Sequence, residues 1–439
     1  MQEAGSAALG CAPAIRVRWR IFACLFGFGF LAYVQQKSIT VAADQMMPQL
    51  HLSQLQLGWI EQAFLFGYAF FQLPGGVFGQ RVGARRAFVA IGVLAVAAMS
   101  ATAIAPDLLR GEPVFLALVG AQLLLGIAQA AIFPTSAGVF AAWFPPRRWP
   151  FVQGLQTMGL QLGAAVTPPL VVALMLALGW QRALLWITVP ALGLIGLWAR
   201  YARNTPREHA DVSAVELAEI GDHRSGEPEP AIGLERLLRV LADRNVLLLA
   251  VSYLCMNYVF YLLANWVFLY LVQERHFSVL ESGWLASIPP LAAAFGSGLG
   301  GVITERLCRR RGVRWGYRQV PLLALPASGL LLLGAVHAGN AYVAVAALAL
   351  CYCSVELTEA SYWSAAMTVG RRDTMAACGL LNTGGNLGGI VGIPIVAYLS
   401  QHQAWNSAFF VGIGFALVSA LAWLGIDAER PPGRHPGER

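Results

Sequence analysis

Long apolar runs alternate with short polar loops along the whole chain. Crossing a bilayer takes about 20 apolar residues in a helix. Backbone polar groups in lipid must be satisfied within the segment, so every apolar run of that length is predicted to be helical. The pattern therefore predicts an all-α membrane protein with 12 transmembrane helices. Numbered as spans 1 to 12, they cover 20–43, 55–78, 86–105, 114–143, 150–177, 181–201, 245–273, 281–304, 319–337, 341–368, 374–399 and 403–426.

The longest polar stretch, rich in Glu, Arg and Pro, separates six spans from six. Within it, Ser213 and Glu216 have the spacing of a capping box, which predicts a short amphipathic surface helix. The domain boundaries that follow are an N-terminal tail at 1–19, a six-helix bundle at 20–201, a linker at 202–243, a second six-helix bundle at 244–427 and a C-terminal tail at 428–439.

The two bundles repeat each other at an offset of 225 residues. An even number of spans separates equivalent positions, so the two repeats are parallel and related by an axis along the membrane normal. This arrangement is typical of transporters whose binding site lies at the midplane between two halves. The matched pairs include Gly58-Trp59 with Gly283-Trp284, Gly76 with Gly301, Gly154 with Gly379, Gly163 with Gly388, Pro169 with Pro394 and Trp180 with Trp405.

Composition and charge support a membrane protein and exclude several other classes. Charged residues make up 12% of the chain, against about 25% in soluble domains. The arginines crowd the loops on one side, so the linker and both termini are expected to be cytoplasmic, in a cell inner membrane. They are spread over short loops rather than one face, which argues against nucleic acid. The cysteines and histidines lack ligand spacing, so we expect no metal site. We also expect no cofactor and no enzymatic activity, and we expect the protein to be a monomer.

Span 1 contains Lys37, the only lysine of the chain. An ionisable group inside a span costs about 2.5–3.5 kcal/mol on insertion scales, so Lys37 is expected to face a cavity or a partner. Alternatively, its stem carries the ammonium to the interface. Pairing with Glu61 would be structural, whereas pairing with Glu356 or Glu359 would make a gate or a coupling relay.

Span 10 carries Glu356 and Glu359 near the middle of the bilayer. Together with Tyr352 and Trp363 they follow a spacing of i, i+4, i+7 and i+11, which predicts one stripe of a helix. Two carboxylates one turn apart in a low dielectric do not both ionise freely, so one of them could carry a proton. The alternative is a packing pair that hydrogen-bonds to neighbouring helices.

Several motifs resemble those of the major facilitator superfamily, and within it the anion:cation symporter family of sugar-acid and organic-anion transporters. Pro206-x-Glu208-His209 resembles that family's linker, and Phe133-Pro134 its span 4. The resemblance implies a gating role for the loop after span 2 and its repeat counterpart. These gating positions are Gly76, Gln80, Arg81, Gly83 and Arg85, with Glu305 and Arg306 in the second half.

Four positions depart from that family. It usually has Asp-Arg where this chain has Gln35-Gln36, and Arg and Glu where it has Gln122 and Gln129. Glutamine cannot titrate, so the family's coupling scheme does not carry over to these positions. We expect Lys37 to offer the positive charge instead, with the span 10 glutamates taking the proton.

The polar and aromatic lining is better retained. The resemblance implies that a set of aromatic and amide side chains contacts a polyhydroxylated acid. We thus expect a secondary transporter that moves a small organic anion, such as a sugar acid, by alternating access and proton symport. The alternative is a proton-independent facilitator or exporter of a neutral or amphipathic solute. The predicted substrate contacts are Tyr33, Gln36, Lys37, Tyr68, Gln129, Gln161, Tyr261, Asn265, Trp363 and Asn382, with Glu356 and Glu359 for proton coupling.

Overall fold

The computed structural model describes residues 16–221, 232–277 and 285–429, and these are almost entirely helical. The first half contains the helices Val17–Leu50, Gln54–Phe70, Gln72–Val82, Ala84–Leu108, Glu112–Ala130, Ile132–Trp143, Trp149–Leu178 and Trp180–Tyr201. The linker contains Ala214–Ile220 and Leu234–Ala242. The second half contains Arg244–Gln273, Ile288–His337, Ala341–Glu356, Glu359–Gly370, Thr374–Gln401 and Trp405–Gly425.

Within the described ranges, nine helical segments are long and apolar enough to cross a membrane. These nine segments contain eleven of the twelve predicted spans, because two of them each contain two spans. One is the helix Ile288–His337, which bends at Gly312 (φ 79°) and contains the described part of span 8 and all of span 9. The other, Ala341–Gln401, contains spans 10 and 11. Span 2 is not among the nine; it is formed by the helices Gln54–Phe70 and Gln72–Val82, which are separated at Phe71. The predicted pair Gly283-Trp284 lies outside the described residues.

Spans 4 and 10 are each broken near their middle, at Ala131 and at Leu357–Thr358. These breaks are one to two residues from the repeat offset, so they are equivalent in the two halves. Close helix packing accompanies both. A Cβ on Gly126 would lie 2.2 Å from the carbonyl oxygen of Phe64, and one on Gly300 would lie 2.2 Å from that of Leu357. Small residues of this kind let helix backbones approach in a membrane.

The break in span 10 corrects one detail of the sequence prediction. Glu356 is the last residue of one helix and Glu359 the first residue of the next. They therefore do not share a stripe on one continuous helix, as the spacing predicted. Hydrophobic periodicity does not register a two-residue interruption, because both flanking helices remain apolar.

The linker and both described chain ends lie on the same side of the molecule, here called the linker face. At the start of span 1, Glu216 accepts hydrogen bonds from the backbone N–H groups of Val17 (3.2 Å) and Arg18 (3.0 Å). Ser213 accepts from the Glu216 backbone N–H at 3.1 Å, as a capping box requires. The Glu216 carboxylate does not complete the box, because it caps span 1 instead.

Glu219 adds an ion-pair network to the same contact. Arg18 Nη2 lies 2.6 Å from its carboxylate, and Arg16 also pairs with it. The hydrogen bond from Arg18, together with both positive charges, holds the pKa of Glu219 below its usual value. The first linker helix is thus fixed to the N-terminal half by charge.

The two halves touch each other near the linker face through four glycines. Added Cβ atoms at these glycines would lie within 2.3–2.8 Å of backbone carbonyl oxygens in the opposite half. Each contact has its repeat equivalent at the offset of 225 residues. These glycine contacts between the halves, here called the closure, are therefore pseudo-symmetric. The paired contacts are Gly154 to Ser297 with Gly379 to Gln72, and Gly301 to Pro150 with Gly76 to Met375.

Polar side chains border this closure at two equivalent corners. At one corner, Arg148 Nη1 lies 3.1 Å from Glu305 Oε1. At the other, Asp373 accepts from Gln80 Nε2 at 2.9 Å and from Arg236 of the second linker helix at 2.7 Å. The second corner thus takes its positive charge from the linker.

The remaining predicted gating residues are structural neighbours of the closure or exposed. Arg81 donates to the carbonyl of Ile232 at 3.1 Å. Arg85 donates to the carbonyl of Ala199, and Gly83 begins span 3 with φ at 83°, a left-handed value that favours glycine. Arg306 is exposed at the linker face.

Candidate functional site

A cavity of about 520 Å³ lies between the two halves, at the level of the breaks in spans 4 and 10. Both halves contribute to its wall, so a bound solute would contact each of them. The lining residues are Tyr33, Tyr68, Phe133, Thr157, Leu160 and Gln161 from the first half, and Tyr253, Asn257, Phe260, Tyr261, Glu356, Glu359, Trp363, Asn382 and Asn386 from the second.

Most of the predicted site residues meet in this cavity. Those that line it are Tyr33, Tyr68, Gln161, Tyr261, Trp363 and Asn382, together with Glu356 and Glu359. Four other predicted contacts lie elsewhere. Gln36 and Lys37 are half-buried one turn beyond Tyr33 along span 1, Gln129 is buried inside the first half, and Asn265 is exposed.

Glu359 is held by two donors. The hydroxyl of Tyr253 lies 3.0 Å from each carboxylate oxygen, and Trp363 Nε1 donates at 2.9 Å. Trp363 follows Glu359 by one turn of the same helix, whereas Tyr253 reaches it from span 7. This geometry fixes the orientation of the carboxylate and of the Trp363 ring together.

Glu356 is also deeply buried, with 1% of its surface exposed. Its hydrogen-bond environment differs from that of Glu359. The amide of Gln161, from the opposite half, interacts with both the Glu356 carboxyl and the Tyr352 hydroxyl. The second carboxyl oxygen of Glu356, Oε2, has no hydrogen-bond partner among the residues that the structure describes. A buried polar atom without a partner is costly, so this oxygen is suited to a proton or to a ligand.

Amide and hydroxyl groups on the second-half wall form a connected network. Tyr261 donates to Asn386 Oδ1 at 3.0 Å, and Asn386 Nδ2 donates to the Asn382 carbonyl at 2.8 Å. On the linker side of the cavity, the rings of Phe133 and Trp363 come from opposite halves and lie 6.1 Å apart. Such surfaces match a small solute that has both hydroxyl groups and a face for stacking.

The electrostatic partner of Lys37 among the described residues is Glu61 rather than a span 10 glutamate. Glu61 accepts a hydrogen bond from Thr40 at 2.7 Å. A direct ion pair between Lys37 and Glu61 stays a prediction. A direct contact of Gln36 or Lys37 with a solute stays a prediction.

Three of the four glutamines at the departing positions hydrogen-bond within the first half. Gln129 Nε2 donates to Gln35 Oε1 at 3.1 Å and to the carbonyl of Ala32 at 3.2 Å. Gln122 Nε2 donates to Thr102 at 3.1 Å. Two of the four positions, Gln35 and Gln129, are therefore in direct contact, and they form a neutral buried pair.

Sequence reasoning missed Tyr253 as a partner of Glu359. A signal was present, because Tyr253, Asn257 and Tyr261 repeat every four residues along span 7 and all three line the cavity. The periodicity alone could not show that Tyr253 points at a carboxylate, since the partner is 106 residues away.

The described residues contain no group of three His, Cys, Asp or Glu side chains that could hold a metal ion. The cavity wall is instead built from two carboxyl groups, amides, hydroxyls and aromatic rings. No lysine or arginine is among the described residues that line it. An anionic solute would therefore enter a site that already carries two acids.

A family model described as Major Facilitator Superfamily matches residues 25–370 of the chain. Among curated relatives, a probable sulfoacetate transporter of Cupriavidus necator is 29% identical over 415 residues, covering 94% of each chain. The hexuronate transporter of Bacillus subtilis is 27% identical and covers 93% of this chain and 96% of its own. A probable galactarate/D-glucarate transporter of Escherichia coli is 26% identical, with 93% and 94% covered.

Solved structures of transporters share the fold. A Major Facilitator Superfamily transporter, FucP, in the outward conformation has a TM-score of 0.72 at 15% identity, covering 94% of this chain and all of its own. The proton:xylose symporter XylE bound to 6-bromo-6-deoxy-D-glucose has a TM-score of 0.73 at 14% identity, with 93% and 96% covered. At these identities the likeness concerns the fold.

Proposed function

The chain belongs to the Major Facilitator Superfamily, and we propose that it is a proton-coupled transporter of a small hydroxylated organic acid. Its relatives and structural neighbours are transporters, not enzymes, and its apolar helices make it a multi-pass membrane protein. The proposal concerns the solute class, the proton, the working side and the residues in contact.

The observation that carries the proposal is the pair of buried glutamates in the cavity between the halves. Ionisable groups inside a membrane are costly and mark substrate or proton pathways. Glu356 and Glu359 lie where a solute would meet both halves. If a proton binds to this pair when an anionic solute enters, the solute's negative charge is not added to those of two carboxylates.

The solute class rests on the wall chemistry and on the relatives. Hydroxyl and amide groups of Tyr33, Tyr68, Gln161 and Asn382 are suited to a polyhydroxylated molecule, and the Trp363 ring offers a stacking face. The curated relatives are named for sulfoacetate, hexuronate and galactarate/D-glucarate. We therefore assign a sugar acid or a related small acid to this cavity.

We further propose that the linker face is cytoplasmic in a cell inner membrane, and that the protein works as a monomer. Arginine is concentrated in the loops on that face, as the positive-inside rule requires. Because the halves touch near the linker face, the arrangement corresponds to a state closed towards the cytoplasm. Alternating access would exchange this closure for one on the opposite side.

The first experiment identifies a working solute. The purified protein is screened for thermal stabilisation by D-glucuronate, D-glucarate, sulfoacetate and neutral D-glucose. A ligand of the native state stabilises it by mass action, by about 2.7 kcal/mol at a hundred times its Kd. The best stabiliser is then used for uptake into proteoliposomes under an imposed pH gradient.

The decisive comparison is between Glu356→Gln with Glu359→Gln and a matched carboxylate variant. The double variant is expected to lose gradient-driven accumulation, because glutamine cannot carry the proton. Glu112→Gln removes an exposed carboxylate at the start of the helix Glu112–Ala130, outside the cavity lining, and it is expected to keep accumulation. Accumulation that survives in the double variant would refute the proposed coupling.

A second candidate function is proton-independent transport of a neutral or amphipathic solute. The observation that favours it is the absence of lysine and arginine among the described cavity-lining residues. It predicts stabilisation by D-glucose rather than by the acids, and uptake that is the same with and without the pH gradient.

A further inference from the structure

We propose that the two span 10 glutamates have different tasks: Glu356 carries the exchangeable proton, while Tyr253 is a positioning residue that keeps Glu359 as a fixed acceptor. The inference rests on the proposed proton coupling and assigns its chemistry to individual residues. It also adds Tyr253, on span 7, to the functional set.

The break in span 10 places the two carboxyls at opposed helix ends. Glu359 is the first residue of the helix Glu359–Gly370, and a helix N-terminus favours a negative charge. Glu356 is the last residue of the helix Ala341–Glu356, and a helix C-terminus disfavours one. Leu357 and Thr358 keep helical backbone angles between these two ends, so the opposed end dipoles largely offset each other, and the difference between the two acids comes from their side-chain surroundings.

Hydrogen bonding distinguishes the two carboxyls. Glu359 accepts from the Tyr253 hydroxyl at 3.0 Å and from Trp363 Nε1 at 2.9 Å, and donors to a carboxylate stabilise its charged form. Glu356 Oε2 has no partner among the described residues. A protonated Glu356 would be able to donate from this oxygen to a solute or to water.

In the part of the chain that the structure describes, the charged and titratable neighbours of Glu356 and Glu359 include no cation that would offset the difference between the two carboxyls. Among the described residues, the side chains that act on one or both are acids and weak acids from spans 1, 2, 7 and 10, whereas Lys37 acts with Glu61. The neighbours are Tyr33 and Cys353 at Glu356, Tyr68 and Tyr362 at Glu359, and Tyr253 and Tyr352 at both.

The proton step that follows is simple. The carboxylate of Glu356 takes a proton from hydronium on one side of the membrane and leaves water. After the halves rearrange and the solute departs, the carboxylic acid returns the proton to water on the other side. Glu359 stays a carboxylate throughout and holds the Trp363 ring, through Nε1, at the linker side of the cavity.

Infrared difference spectroscopy tests this without any solute. The purified full-length protein is titrated between about pH 5 and pH 8, the range in which a group near neutrality changes charge. The carbonyl band of protonated carboxylic acid is followed. Four single variants are compared with the unmodified protein: Glu356→Gln, Glu359→Gln, Tyr253→Phe and Tyr362→Phe.

The expected pattern is specific to the division of tasks. Glu356→Gln removes the titrating band, and Glu359→Gln keeps it. Tyr253→Phe removes one donor from Glu359 and brings a second carboxyl into titration, which raises the band amplitude about twofold. Tyr362→Phe is the matched control, because the Tyr362 hydroxyl bonds Ser252 and Ser419 rather than a glutamate; its spectrum stays unchanged.

Two results would overturn the inference. One is a titrating band that persists in Glu356→Gln, and the other is a Tyr253→Phe spectrum identical to that of Tyr362→Phe. The two tyrosine variants keep the test valid if a glutamate variant does not fold. Because no transport is measured, this result is separable from a failure of the proposed function, which would appear only in the uptake assay.

Discussion

Spans 4 and 10 are repeat mates with the same architecture and different chemistry. Both break near the midplane, at Ala131 and at Leu357–Thr358, and both contribute to the cavity wall. Span 10 brings two carboxyls to that wall, whereas the glutamines of span 4, Gln122 and Gln129, hydrogen-bond inside their own half. The backbone design is therefore shared, and the two carboxyl groups of the cavity come from one half.

The first half contains a neutral buried amide pair. Gln35 and Gln129 meet at 3.1 Å, at two positions where the related family usually has acids. A neutral pair satisfies the buried groups and holds spans 1 and 4 together. The first half would then serve as a scaffold, and the second half would carry the proton.

The largest expected effect concerns the closure, where the two halves are equivalent. Gly154→Val and Gly379→Val each place side-chain atoms against a carbonyl of the other half, since even a Cβ would lie 2.6–2.8 Å from one. Spin labels at Arg147 and Arg310, in a cysteine-free background, report the separation at the linker face. Both variants are expected to raise the population of separated halves about tenfold or more, equivalent to 1.4 kcal/mol.

The control for this prediction is Gly193→Val, because a Cβ there would have no neighbour within 4 Å. Its label distances are expected to match those of the unmodified protein. Separation in one glycine variant but not in the other would contradict the pseudo-symmetric closure.

For the amide pair, the expected effect is on the free energy of unfolding. Gln129→Leu leaves the buried Gln35 Oε1 without its donor, at a cost of about 1–3 kcal/mol. Gln35→Leu is expected to cost less, because Gln129 Nε2 still donates to the carbonyl of Ala32. The double variant is expected to lose less than the sum of the two, because no partner then remains unsatisfied. Unfolding of the purified protein by denaturant measures the cycle, and strict additivity would argue against a coupled pair.

The corners of the closure are expected to contribute less still. Arg148 is 47% exposed in its pair with Glu305, and exposed pairs are typically worth about 0.2–1 kcal/mol. Asp373→Asn should separate the labelled halves more than Arg148→Gln, because Asp373 accepts from both Gln80 and Arg236. High salt should shrink the effect of Arg148→Gln, and an effect that is independent of salt would contradict an ion-pair origin.

The smallest effect concerns the linker contact with the first half. The pKa of Glu219 is lowered by its hydrogen bond to Arg18, so its stabilising contribution is present above the ordinary pKa and is lost as pH falls through the lowered one. Limited proteolysis of the linker between pH 6 and pH 3 should show this loss. Glu219→Gln is expected to remove that pH dependence, whereas Glu235→Gln, which affects only an exposed pair with Arg239, should leave it unchanged.

Much of the fold followed from the sequence because its signals are long. Apolar runs predicted twelve spans, and the repeat offset paired Gly76 with Gly301. Each of these two glycines lies against a backbone carbonyl of the other half. The breaks at Ala131 and Leu357 were not predictable. They alter the backbone hydrogen-bond pattern over only one or two residues, as where the Thr358 N–H donates to the Val355 carbonyl at 3.1 Å, while the sequence around them stays apolar.

In the candidate site, too, some residues could be predicted from the sequence and others could not. Glu356 and Glu359 could be singled out because charge inside a span is rare. The partners of these residues could not, since Tyr253 and Gln161 come from other spans and sequence spacing does not encode contacts between spans. Lys37 had three possible acidic partners, and only the folded arrangement identifies Glu61 as the one that acts on it electrostatically.

The most direct test of the account measures protons and solute together. Proteoliposomes with a pH-sensitive dye inside a weak buffer receive the stabilising acid from outside, without an imposed gradient. Proton symport predicts internal acidification that requires the solute and disappears in the variant carrying Glu356→Gln and Glu359→Gln. Solute uptake of the unmodified protein with no accompanying proton movement would contradict the central claim.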